Sequence, residues 1–314
     1  MIDLVGKRYW FFLISLLVIL PGLVSLAIFG VPVGIDFTGG TLWEVQLPRQ
    51  PEPAQVKAVF ARFGYGDAVV QTATTAAGEQ SFIIRSREIP ADSPVKAQIE
   101  QALSEEFGTP KLIRFDSVGP TIAAEIVQRA AIAVGAASVG ILLYIWWAFR
   151  RLPHAIRYGT SAIVAMLHDV LVVLGVFSLV GRSLGFEVDS LFVTAVLTVI
   201  GFSVHDTIVV FDRIRENMGR YQGLPFADIV NFSLVQTLVR SLNTSLTVIF
   251  TLVAMLLFGG VTIKGFVFTL LVGIITGTYS SIFNASMLLV VWETGELGRL
   301  LKGGTARKPE VARQ

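Results

Sequence analysis

Apolar positions along this chain fall into two regimes. Six long stretches are almost unbroken: residues 9–29, 130–149, 158–180, 191–211, 241–258 and 266–292. At 1.5 Å per residue, about 20 such residues cross a bilayer core of about 30 Å, so each stretch predicts a membrane-spanning helix. Between the first and second the pattern shortens and alternates. Residues 41–47 alternate apolar and polar as a half-buried strand does. Pro53 opens a helical run over 54–63, which Gly64 closes. Two more strands are predicted at 67–72 and 81–86, joined by a turn containing Gly78. A second helix spans 94–107, with Val95, Ile99, Ala102, Leu103 and Phe107 on one face, and a last strand covers 111–117. The predicted order is βαββαβ, which suggests a ferredoxin-like split sandwich. That fold serves many functions and names none.

Composition sharpens the division. Hydrophobic residues make up 53%, charged residues 15%, and the mean hydropathy is +0.69. A soluble domain carries about 25% charged residues, so this chain lacks the polar surface to coat a globule. Residues 34–124 hold 19 of the 48 charged side chains, in under a third of the length. The fold class is therefore a polytopic α-helical membrane protein with six transmembrane helices and one water-exposed α+β domain between helices one and two. Its expected organisation is 1–31, N-terminus and first helix; 32–124, the α+β domain; 125–293, a five-helix bundle; and 294–314, a basic tail. Absence of cysteine excludes disulfides and thiolate chemistry. No basic patch interleaved with aromatics points to nucleic acid.

Orientation follows from lysine and arginine in the short flanks. One side holds 13 of them: Lys7, Arg8, Arg150, Arg151, Arg157, Arg213, Arg215, Arg220, Arg299, Lys302, Arg307, Lys308 and Arg313. The other holds three, Arg129, Arg182 and Lys264. Both termini are expected in the cytoplasm and the α+β domain outside. The first stretch exceeds a signal-peptide core of about 7–15 residues, which favours an uncleaved anchor.

Polar side chains inside the spans carry the candidate chemistry. A charged group at a span centre costs at least about 2.5–3.5 kcal/mol on insertion scales, so it turns inward and usually functions. Asp169 follows His168 in the third span, Asp206 follows His205 in the fourth, and Arg240 opens the fifth. Gln236, Arg240, Asn243, Thr244, Thr247 and Thr251 share one helical face, and Thr194, Thr198, Gly201 and His205 share another. Two stripes of opposite charge at similar depth can meet. Asp206 and Arg240 would then be a static ion pair or a proton relay, since burial and a nearby Arg push a carboxylate's proton affinity in opposite directions. Asp169 and His168 admit the same two readings, relay or interhelical support. Two His-Asp pairs 37 residues apart also raise a divalent metal, but adjacent helical residues diverge by about 100°, so no metal site is expected. An aspartyl protease lacks its Gly-x-Gly-Asp sequence, and no P-loop appears. Gly273 and Gly277 form a GxxxG packing signal.

Several stretches resemble the SecD/SecF family of protein-export membrane proteins. They are Gly34-Ile-Asp-Phe-Thr-Gly-Gly40, Val118-Gly-Pro-Thr121, Ala165-Met-Leu-His-Asp-Val170, the run from Ile200 through His205-Asp-Thr207 to Asn217, and Ser233-Leu-Val-Gln-Thr-Leu-Val-Arg240. Span count and insert size are similar to the SecF branch. The resemblance implies a non-enzymatic subunit in the bacterial cytoplasmic (inner) membrane, on the resistance-nodulation-division plan and without a cofactor. Such a subunit pairs with SecD beside the SecYEG channel and draws preproteins outward using protons. It maps the family's proton relay onto Asp206 and Arg240. By their own positions in the spans, His205, Asp169, His168, Asn243 and Thr247 are further candidates for relay or polar support. Many members carry Asn where this chain has His205, a titratable neighbour that would join the relay or shift its working pH. Gly34, Asp36, Gly39 and Gly40 fall at the junction of domain and membrane, as a bending linker or a purely structural turn. A proton-coupled exporter of small molecules or lipids and a passive scaffold are the alternatives.

Overall fold

The computed structural model describes residues 2–74, 79–150 and 152–296. The expected turn at Gly78, Arg151 and the basic tail beyond residue 296 lie outside the described residues. Among the described residues ten α-helices and four strands follow one another. Helix α1 (Arg8–Phe29) leads through a short α2 (Ile35–Thr38) into β1 (Gly40–Gln46), α3 (Pro53–Arg62), β2 (Val69–Thr74), β3 (Gln80–Ser86), α4 (Pro94–Phe107) and β4 (Lys111–Val118). The bundle comprises α5 (Pro120–Phe149), α6 (Ala155–Leu184), α7 (Ser190–Arg220), α8 (Phe226–Phe258), α9 (Lys264–Tyr279) and α10 (Ser286–Glu293). Among the described residues six helical segments are long and apolar enough to cross a membrane.

The small sheet has strand order β2-β3-β1-β4, every neighbouring pair antiparallel. Its helices start where the sequence supplies caps. Glu52 and Gln55 form a reciprocal capping box ahead of Pro53, and the Ser93 hydroxyl accepts from Val95 N–H ahead of Pro94. Trp43 is fully buried between the edges of Phe60 and Phe115, with centroids 5.7 and 4.8 Å away.

Helices in the bundle outrun the apolar stretches. α5 begins at Pro120, directly after β4, so strand and span are joined with only Gly119 between them. α7 continues to Arg220, where Arg213–Glu216 and Arg215–Asp212 pair along its last turns. α8 begins at Phe226, so Arg240 lies well inside the helix and does not open it. Hydropathy marks the membrane-embedded part of a helix, whereas backbone hydrogen bonds carry the helix on into water.

Small residues set the tightest contacts. The buried positions of α1 are Ser15, Gly22 and Ser25. Gly22 faces Gly175 of α6, and one turn on the Ser25 and Ser178 hydroxyls meet at 2.7 Å. Gly273 and Gly277 of α9 lie against Val199 and Ser203 of α7, so the GxxxG signal marks that seam. The last span is not one α-helix: a π-helical turn, Ser280–Ala285, separates α9 from α10.

Candidate functional site

Asp206 lies midway along α7 and is 7% exposed. Its Oδ1 accepts a 2.6 Å hydrogen bond from Ser241 Oγ of α8, and its Oδ2 is buried without a partner among the described residues. The expected contact with Arg240 is not formed. Adjacent residues on a helix point about 100° apart. In α8 the buried face is Ser233, Thr237, Ser241 and Ser245, spaced by four, so its neighbour Arg240 is exposed. Among the described residues no ion pair joins Arg240 to any carboxylate. Asn243, Thr244, Thr247 and Thr251 are exposed with it, as are Thr194, Thr198, Gly201 and His205 on α7. The two polar stripes thus both lie on the surface of the isolated chain, flanking the buried Asp206–Ser241 contact.

A denser network surrounds Asp169, which is 1% exposed on α6. His168 Nδ1 lies 3.0 Å from Oδ1. Ser203 Oγ of α7 and Ser280 Oγ of the π turn both donate to Oδ2, at 2.6 and 2.7 Å. Ser281 Oγ donates to the Ser203 carbonyl at 2.8 Å and accepts from Thr207 Oγ1 at 2.9 Å. The two His-Asp pairs therefore face different neighbours: His168 is buried with Asp169, whereas His205 is exposed and Asp206 turns to α8. The serines were not legible as site residues, because a Ser in a span is cheap and common. The adjacent pair Ser280-Ser281, with Thr276, Thr278, Asn284 and Ser286 close by in the same span, is the signal that would have found them.

At the other end of α7 the sheet unit is fastened to the bundle. Val33 and Val188 form a parallel bridge, with Gly34 N–H donating to the Val188 carbonyl at 2.9 Å and Val188 N–H to Pro32 at 2.7 Å. Asp36 Oδ2 accepts from Ser190 N–H at 2.9 Å and from its hydroxyl. Asp189 caps the same helix by accepting from Phe192 N–H at 2.7 Å. Burial foremost, with the nearby charge of Asp36 adding to it, raises the Asp189 pKa above its ordinary value against the opposing Phe192 bond and Arg114. Arg85 of β3 pairs with Glu187 just before this turn, and burial lowers the Arg85 pKa. Of the junction glycines, Gly39 and Gly40 take positive φ, +72° and +122°, where other residues are strained. Gly34 does not (φ −77°); it is confined instead by the Val188 carbonyl and Asp189.

Asp36→Ala removes both bonds to Ser190, each worth about 1.5–3 kcal/mol for a charged acceptor. Amide exchange in the first turn of α7 is expected to accelerate by about two to four orders of magnitude (about 1.4 kcal/mol per tenfold). Unchanged exchange there, measured by mass spectrometry, would show that the Asp36 contact contributes nothing.

Residues 98–295 match the family model described as protein export membrane protein SecD/SecF, C-terminal. The protein translocase subunit SecF of Thermobaculum terrenum is 53% identical over 318 residues, covering 99% of both chains. The protein translocase subunit SecDF of Bacillus subtilis is 36% identical and aligns with 94% of this chain over 38% of its own length. The crystal structure of SecDF, a translocon-associated membrane protein from Thermus thermophilus, superposes with a TM-score of 0.79 at 32% identity. That alignment covers 93% of this chain and 39% of SecDF, so the chain spans about two fifths of the length of either SecDF protein.

Proposed function

The chain belongs to the SecD/SecF family of protein export membrane proteins, and on that premise we propose that it is the SecF subunit of a Sec preprotein translocase, driven by protons through Asp206. The observation that carries the reading is a buried carboxylate within a span with one oxygen unpaired among the described residues, flanked by polar stripes exposed in the isolated chain. A lone buried carboxylate is costly in a bilayer unless it takes up a proton or a partner. The exposed stripes, Arg240 among them, fit a second membrane subunit better than lipid. SecD is that subunit, in keeping with relatives in which the two are one SecDF chain.

In this reading the 13-to-3 excess of basic flank residues keeps both termini in the cytoplasm, in a bacterial inner membrane. The sheet unit, ferredoxin-like in strand order, then faces outward, beside SecYEG and the emerging preprotein. Protons enter from outside, reach Asp206 and leave inward, with Arg240 and the neighbouring His205 setting its proton affinity. The motion of α7 passes to the sheet unit through Asp36–Ser190 and Arg85–Glu187. The subunit moves polypeptide and performs no covalent chemistry. A small-molecule exporter needs a large apolar cavity in the outer unit; a cavity of ≈510 Å³ at its base is lined instead by Asp36, Glu88, Arg114 and Asp116 among others.

The test is complementation. In cells depleted of their own SecF and supplied with a matching SecD, this chain is expected to restore preprotein export. Failure to do so, with the chain inserted and bound to SecD, would overturn the reading.

A further inference from the structure

The relay as proposed leaves the second buried carboxylate unused. We propose that Asp169 is a positioning residue for the transport cycle: its carboxylate holds the last span in the π turn through Ser280 and Ser203, and lets that turn relax to α-helix when it takes a proton. The inference rests on the proton-driven reading for its role but not for its geometry.

A π turn packs one extra residue into a helical turn and needs outside contacts to persist, which is why such turns gather at functional sites. Here the turn is a hub. Ser280 bonds Asp169 of α6, Ser281 bonds Ser203 and Thr207 of α7, and Asn284 Oδ1 accepts from Ser15 of α1 at 2.9 Å. The two short hydroxyl bonds to Asp169 converge on one oxygen, Oδ2. An ionised carboxylate accepts both. A protonated one is a weaker acceptor. The bonds from Ser280 and Ser203, which tie the π turn and α7 to α6, then weaken together.

Among the described residues Asp169 is the one carboxylate bonded within this cluster, and the titratable groups beside it are His168 and, next to that imidazole, Tyr279. On the helix of Asp169 stands His168, whose Nε2 is buried without a partner among the described residues, with the Tyr279 ring centroid of α9 6.4 Å from the imidazole. α7 turns Ser203 and Thr207 toward the cluster, while its own carboxylate, Asp206, faces α8. From α1 come Ser15 and the Phe11 carbonyl, the latter bonded by Tyr279 at 2.7 Å; Arg8 is paired with Glu296 instead. The last span also has room to change. An apolar cavity of ≈370 Å³ adjoins the turn, lined by Ser15, His168, Asn284 and Leu288 among others. Replacing the π turn by α-helix rotates everything beyond Ala285 by about 100° and shifts it by about 1.5 Å, so Leu288 would leave its place in that cavity.

The chain has no cysteine, so Leu288→Cys gives a single labelling site. A spin label there, in the full chain co-expressed with SecD and reconstituted in vesicles, reports its environment as pH is stepped down. With Asp169 present, the label is expected to pass between two environments in one pH step. Asp169→Asn, neutral at every pH, is expected to abolish the step and fix the low-pH environment. Ser280→Ala is expected to favour that environment even at high pH, and serves if Asp169→Asn fails to insert. A single environment at all pH values, or the same step in Asp169→Asn, would overturn the proposal. Either result leaves the export function itself intact, because complementation measures that separately.

Discussion

Asp206→Asn is expected to abolish the dependence of export on the membrane potential while leaving insertion and SecD binding intact. Asparagine matches aspartate in size and still accepts the Ser241 hydroxyl through its amide oxygen, so the α7–α8 contact at 2.6 Å survives. It cannot take up or release a proton at neutral pH. One charge moved across 100 mV is worth about 2.3 kcal/mol, a bias of about fiftyfold between the two ends of a cycle. On the proposed relay, removing the Asp206 step leaves basal export, insensitive to an uncoupler. Ser241→Ala separates the alternatives: it deletes the hydrogen bond and keeps the carboxylate, so coupling should weaken without disappearing. If Asp206→Asn exports at the wild-type rate and remains uncoupler-sensitive, Asp206 is structural and a passive scaffold becomes the better account.

Gly175→Val is expected to separate α1 from α6 and to lower the stability of the bundle markedly. An added Cβ on Gly175 would stand 2.7 Å from the Gly22 Cα, and one on Gly22 would stand 2.8 Å from the Gly175 Cα. Both neighbours are backbone atoms, which cannot turn aside. Overpacking a filled interior costs about 1–3 kcal/mol even for modest insertions. Here the cost is compounded, because α1 buries only Ser15, Gly22 and Ser25, and moving the helices apart also breaks the Ser25–Ser178 contact. In a bilayer the hydrophobic effect does not press helices together, so no large apolar surface compensates. Gly175→Ala should be milder and Gly135→Ala, with open space around it, nearly neutral. Thermal unfolding of the three proteins in one detergent checks the order. A Gly175→Val protein as stable as wild type would refute the close-packed seam.

Some of this protein was determined by sequence alone, and the division is physical. Span number was legible because transfer into a bilayer depends on local composition, which needs no knowledge of neighbours. The order of elements in the sheet unit was legible because Pro53, Gly64, Pro94 and Gly108 punctuate helices through their own backbone preferences. The cost of charge in hydrocarbon singled out Asp169, Asp206 and Arg240 without any structure. Rotation of each helix about its axis was not legible, and it decides every contact of those residues. Arg240 and Ser241 are neighbours in the chain, yet packing of α8 through Ser233, Thr237, Ser241 and Ser245 turns the serine to Asp206 and the arginine outward. The π turn was equally hidden: its residues suit an α-helix, and the contacts that sustain it come from Ser15, Asp169, Ser203 and Thr207 on three other helices. Tertiary structure alone could bring those together, because a hydroxyl in a membrane gains its value from the partner it meets across a helix interface.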